Sequence, residues 1–219
     1  MRVGLGKAVE LAAFLAAVGP AGATRDRIVA ELFDGSDDGP NYLRQAVHRR
    51  RRPCRSRCGG GRLRWDPPGA VRTDDQELAA LVARARLRLG DGRVQALRDA
   101  VAMCAGPYLP GLSGSATDAR RREVAALDAE ARAELARCLL EAGRPAEAAA
   151  AARDALGRDP LAEDAWQLLM RAEAAIGGPG AVGPLLRECR AALAAAGLEP
   201  CAATIRVADR LRRAGAASG

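Results

Sequence analysis

Apolar residues recur with a helical period over most of the chain, and the exceptions mark its boundaries. Between residues 5 and 18, Leu11, Phe14, Leu15 and Val18 fall three or four apart, which predicts a helix with one buried stripe. Gly19-Pro20 ends it. Thr24 stands where a helix cap belongs, ahead of a second helix in which Ile28, Leu32 and Phe33 repeat the stripe. Asp26 occupies its first turn, where a carboxylate complements the helix dipole. Asp34-Gly35 and Asp37-Asp38-Gly39 predict a turn. A third helix then runs from Pro40 or Asn41 to about Arg52, closed by Pro53, with Leu43 and Val47 facing inward. After it the period changes to two. Arg62-Leu63-Arg64-Trp65 alternates as a half-buried strand does, and Gly59-Gly60-Gly61 supplies a turn, so Cys54 to Trp65 predicts a hairpin.

Pro67-Pro68-Gly69 marks a domain boundary. Beyond it the pattern predicts only helices, over about 75–89, 92–105, 117–142, 145–157, 161–176, 180–196 and 201–213. Val124, Leu127, Ala131, Leu135, Cys138 and Ala142 form the stripe of the longest. Short Gly/Pro turns make neighbours antiparallel, the arrangement of stacked helix pairs. A 34-residue period supports this. Counted from Ala129 as position 1, Leu135 falls at 7, Gly143 at 15, Ala148 at 20, Ala155 at 27 and Pro160 at 32. Counted from Glu163, Trp166 falls at 4, Leu169 at 7 and Gly177 at 15. The expected fold is mainly α: a degenerate winged helix-turn-helix over 1–72, then a tetratricopeptide-like helical repeat domain over 73–215.

Charge sharpens this division. Residues 1–72 hold 14 basic and 7 acidic residues, while the rest of the chain holds 20 of each, so the whole net charge of +7 lies in the first third. Eight arginines and no acidic residue occur between Arg49 and Arg64. A run that dense repels itself unless an anion is present. A guanidinium can fork onto a phosphate or a guanine edge, so the expected partner is double-stranded DNA. The residues expected to meet it are Arg44, Gln45, His48, Arg49, Arg51 and Arg52 on the third helix and Arg55, Arg57, Arg62 and Arg64 on the hairpin.

Other chemistry is thin. Cys54, Cys58 and His48 are three soft ligands, but the fourth that a zinc site needs is missing at comparable spacing, so no metal is expected. The two cysteines lie among arginines that would favour a thiolate, which leaves a redox-sensitive disulfide as a minor alternative. Gly4-Leu5-Gly6 is too short for a dinucleotide fingerprint. With one histidine and no nucleophile, base and acid grouped, neither an enzyme nor a cofactor is expected. No apolar run reaches membrane-spanning length. Arg2, Lys7, the apolar LAAFLAAV and Ala21-Gly22-Ala23 resemble a signal peptide, but Glu10 interrupts the pattern, and a cytoplasmic location is expected. Six aromatics and a single lysine, Lys7, in an alanine- and arginine-rich chain point to a GC-rich bacterial source.

Four stretches carry a resemblance: NYLRQAVHRRRR at 41–52, GPYLPGL at 106–112, the run from Leu139 to Gly177, and GLEP at 197–200. In these the chain resembles the actinobacterial family of antibiotic-pathway regulators. The resemblance implies a winged-helix DNA-binding domain followed by a bacterial transcriptional activation domain of tetratricopeptide-like helices. It further implies a regulator, expected to be an activator, whose repeat domain meets RNA polymerase or a second protomer. Members usually begin with a small sheet before the first helix, whereas this chain starts almost at that helix. The competing expectation is a protein-interaction adaptor whose DNA-binding domain has decayed.

Overall fold

A computed structural model describes residues 5–18, 21–33, 35–49, 55–59, 61–66, 73–104, 106, 108 and 115–216. The chain forms α1 (Leu5–Val18), β1 (Ala23–Thr24), α2 (Arg25–Phe33), α3 (Gly39–Arg49), β2 (Arg55–Gly59) and β3 (Arg62–Asp66). These are followed by α4 (Asp74–Arg86), α5 (Gly90–Met103), α6 (Ser115–Glu141), α7 (Pro145–Arg158) and α8 (Glu163–Gly177). A 3-10 turn, Pro179–Ala181, then leads into α9 (Val182–Ala195) and α10 (Ala202–Ala216). Two compact units result, Met1–Ala80 with Ala105–Ala125, and Leu81–Cys104 with Ala126–Gly219. The first unit therefore extends past the boundary expected at 72, taking in the start of α4 and of α6.

In the first unit α1, α2 and α3 close around Leu11, Leu15, Ile28, Leu32, Leu43 and Ala46, with Phe14, Val18 and Val47 partly covered. Burying each leucine or isoleucine contributes roughly 1.5–3 kcal/mol. The cap of α2 is as expected: the Arg27 backbone N–H donates to Thr24 Oγ1 at 3.3 Å. The lone lysine ties α1 to α2. Lys7 Nζ donates to buried Glu10 at 2.7 Å and to the Leu32 carbonyl at 2.9 Å.

The hairpin pairs antiparallel, with Cys58 opposite Leu63 and Arg57 opposite Arg64. Sequence reasoning missed its third strand. β1 pairs with β3, Ala23 opposite Leu63, giving the order β1-β3-β2. Two residues are too few to show alternation. Gly22 makes this strand possible: its φ is +62°, and a Cβ there would stand 2.5 Å from the Leu63 carbonyl oxygen.

α4 begins with the return half of a capping box, the Thr73 hydroxyl being buried without a partner among the described residues. The Thr73 N–H donates to Gln76 Oε1 at 3.3 Å, and Gln76 Nε2 donates onward to the Ala16 carbonyl of α1 at 2.7 Å. Asp75, only 1% exposed, accepts from Arg120 Nε at 2.5 Å. Arg121 Nε donates to the Tyr108 carbonyl at 3.0 Å, so α6 holds that tyrosine's backbone.

In the second unit α7 packs on α8, and α8 on α9 and α10. The repeat positions are filled as the 34-residue period requires: Leu135, Ala148, Ala155, Trp166 and Leu169 are buried. Trp166 Nε1 donates to the Pro160 carbonyl at 2.9 Å, which fixes the turn between α7 and α8. Gly143, at φ +69°, ends α6 in a Schellman motif, with its N–H on Leu140 O and the Arg144 N–H on Leu139 O. One expectation fails in α6: Ala142 lies beyond the helix and is exposed. The helix also buries a charged pair, Asp128 and Arg132, at 5% and 3% exposure. Arg132 Nε donates to Asp128 Oδ1 at 2.7 Å and its Nη1 pairs with Asp154, while Arg158 Nη2 caps the Cys104 carbonyl at 2.7 Å. Burial, followed by the Asp128 carboxylate, pushes the Cys104 thiol up to about 11.

Candidate nucleic-acid interface

α3 is held at its start and along its inner side. Its N-terminus is pinned because the Asn41 and Tyr42 N–H groups both donate to the Asp38 carbonyl at 3.0 Å. The Tyr42 hydroxyl donates to Asp38 Oδ2 at 3.3 Å, and the ring lies 6.0 Å from that of Phe33. Partial burial and then the Asp38 charge raise the Tyr42 pKa. Leu43 and Ala46 are locked in the core. The opposite side is therefore presented rigidly.

That side carries Arg44 and His48, four apart and both exposed. Asn41, three residues before Arg44, is exposed on the same line. Sequence reasoning passed over Asn41, although its spacing from Arg44 and His48 was there to read. Gln45 is half-buried at the edge of this face. Arg49 closes the helix in backbone terms. Arg51 and Arg52 lie outside the described residues, as do Arg50, Pro53 and Cys54, so the expected helix end and the Cys54 chemistry fall there too.

On the hairpin, the backbone of β2 carries Arg55 and Arg57, and β3 carries Arg62 and Arg64 around the buried Leu63. Arg64 is exposed. Arg62 instead turns back onto the fold, its Nε donating to the Ala21 carbonyl and its Nη2 to the Gly22 carbonyl, both at 3.0 Å. It fastens the hairpin to the loop after α1, and only its remaining N–H groups face elsewhere. Arg44, His48 and Arg64 have no ion pair among the described residues.

Among the described residues no group of three or more His, Cys, Asp or Glu is placed to hold a metal, and no helix is long and apolar enough to cross a membrane. The arrangement offers a rigid cationic helix face and a cationic hairpin.

No curated protein matches the chain. Among solved structures, the chain is similar to that of Mycobacterium tuberculosis EmbR in complex with a low-affinity phosphopeptide, with a TM-score of 0.80 at 17% identity. The likeness covers 97% of this chain and 60% of the EmbR chain, so this chain spans less than two thirds of that chain's length. At that identity it speaks for the fold alone. The model of the bacterial transcriptional activator domain matches residues 71–212, which is well over half of the sequence. The chain belongs to the bacterial transcriptional activator domain family, a family of transcription regulators and not of enzymes.

Proposed function

We propose that the protein is a DNA-binding transcriptional activator, in which α3 enters the major groove and the β2–β3 hairpin rests on the sugar-phosphate backbone. Arg44, His48 and Arg49 contact DNA from the helix, with Gln45 at its edge, and Arg51 and Arg52 continue the basic run. Arg55, Arg57 and Arg64 contact it from the hairpin, while Arg62 mainly holds the hairpin in place. Asn41 joins the helix set, since its side chain can fork onto adenine. The helical repeats of the second unit meet a partner protein, RNA polymerase or a second protomer. The order helix, strand, helix, helix, hairpin is that of a winged helix-turn-helix, and that family places its last helix in the groove.

The observation that carries this reading is the exposed Arg44 and His48 on a helix whose other side is anchored by Leu43 and Ala46. Duplex binding by the full chain should weaken with salt along a log-log slope of roughly −4 to −7, as contacts to about 5 to 8 phosphates require. A slope near zero would remove DNA from the proposal and leave the adaptor reading.

A further inference from the structure

The second unit belongs to a stretch of chain that is neutral in sum, but its charges are not evenly cancelled in space. Its acidic residues pair mostly around α4 to α8: Arg86 with Glu130, Arg93 and Arg137 with Glu134, Arg132 with Asp128 and Asp154, Arg98 and Arg144 with Glu147, and Arg153 with Glu173. α10 is left out of this pairing. It holds four arginines and one carboxylate, Asp209. Arg206, Arg210 and Arg213 recur at i, i+4 and i+7, all are exposed, and none has an ion pair among the described residues.

The repeat extends this row to neighbouring helices. Arg171 is the ninth residue of α8 and Arg210 the ninth of α10, and Arg137 precedes Arg171 by one 34-residue period. Two positions before each arginine stands a buried anchor, Leu135, Leu169 and Ala208, so each arginine bears the same relation to the packed side of its helix, although Arg210 follows Arg171 by 39 residues, five more than one period. Arg171 is exposed and has no ion pair among the described residues. Partial burial, and then the charges of Arg137 and Arg210, lower the Arg171 pKa, as expected where like charges converge.

We propose that Arg171 and Arg210, continued by Arg206 and Arg213, form a docking surface for an acidic peptide segment of a partner protein. Helices in contact lie about 8–10 Å apart, which is about three residues of extended chain, so carboxylates spaced three apart would meet successive helices. Each guanidinium can then take a carboxylate in a two-bond fork. A duplex suits the surface less well, because its charge recurs about every 1.7 Å, far more closely than arginines on successive helices can match.

The test measures anisotropy of a labelled twelve-residue peptide with a glutamate at every third position, of its glutamine counterpart, and of a duplex of equal charge, each against the full chain. R171Q/R210Q should weaken glutamate-peptide binding about tenfold or more, as loss of charge-assisted bonds requires, and leave the duplex unaffected. The glutamine peptide should not bind. R206Q/R213Q, on exposed positions that cannot unsettle the core, should weaken the same peptide severalfold, and this variant decides the matter if R171Q/R210Q melts early by circular dichroism. Unchanged peptide affinity overturns the proposal, and so does an equal or larger loss for the duplex.

Discussion

Arg62 reaches across the sheet to Gly22, its Nη2 lying 3.0 Å from the glycine carbonyl oxygen, while Gly22 in turn can sit against Leu63 only because it has no side chain. The pair joins the hairpin to the loop that follows the first helix. Stiffness of the hairpin and its charge thus rest on different arginines.

Replacing Gly22 by Ala should destabilise the first unit by about 1–3 kcal/mol or more, because the residue must keep a positive φ and its methyl would meet the Leu63 carbonyl. R62A should cost about 1 kcal/mol through its lost carbonyl bonds. Urea unfolding followed by circular dichroism reads both. Equal stability of G22A and the parent would mean that β1 does not pair as described.

R44A should behave in the opposite way. Arg44 supports no contact in the core, so the melting temperature should stay put while duplex affinity falls by about tenfold. Comparison of R44A with R62A separates contact from support.

The Glu163 carboxylate caps α10. It accepts from the Cys201 N–H at 2.8 Å and from Thr204 Oγ1 at 2.5 Å, and Gln167 Nε2 donates to the same hydroxyl at 3.0 Å. Partial burial alone would raise its pKa, but the bonds from Thr204 and Cys201 outweigh it and hold the group below its ordinary 4.5. The folded form therefore binds its proton less readily than the unfolded chain. The stabilisation is complete above the unfolded value and is lost as pH falls through the depressed folded one. Amide protection factors in α10, corrected for the intrinsic pH dependence of exchange, should fall on acidification over that window in the parent, and E163Q should flatten that dependence.

Asp128 and Arg132 form a buried pair, so breaking it one-sidedly should be severe. R132A leaves a buried carboxylate and should cost about 3–5 kcal/mol. Changing both, as D128L/R132M, should restore much of that loss, since a well-packed apolar pair avoids the desolvation of two charges. Chemical denaturation of the three proteins tests it, and additive losses in the double variant would count against the network.

Helix periodicity was legible wherever leucines and alanines do the packing. α1 runs Leu5–Val18 as the stripe from Leu11 to Val18 implied, and Trp166 and Leu169 are buried at their repeat positions. What could not be read is what depends on distant partners. β1 exists because Leu63 offers it an edge some forty residues later. Asp128 lies inside because Arg132 and Arg158 are there to meet it. For the interface, the outward side of α3 followed from Leu43, but that Arg62 turns back to the Ala21 and Gly22 carbonyls depended on a loop whose path local pattern does not encode.

The polypeptide passes between its two compact units after Ala80, after Cys104 and after Ala125, and two of those passages lie inside the unbroken helices α4 and α6. Swapping the regulator's halves like interchangeable cassettes at residue 72 would therefore separate Gln76 from Ala16 and leave Asp75 and Arg120 with a truncated unit around them. A working chimera has to carry the stretch up to Ala125 along with the arginine-bearing end, so evolution or an engineer can alter the α3 face more readily than exchange the module that bears it.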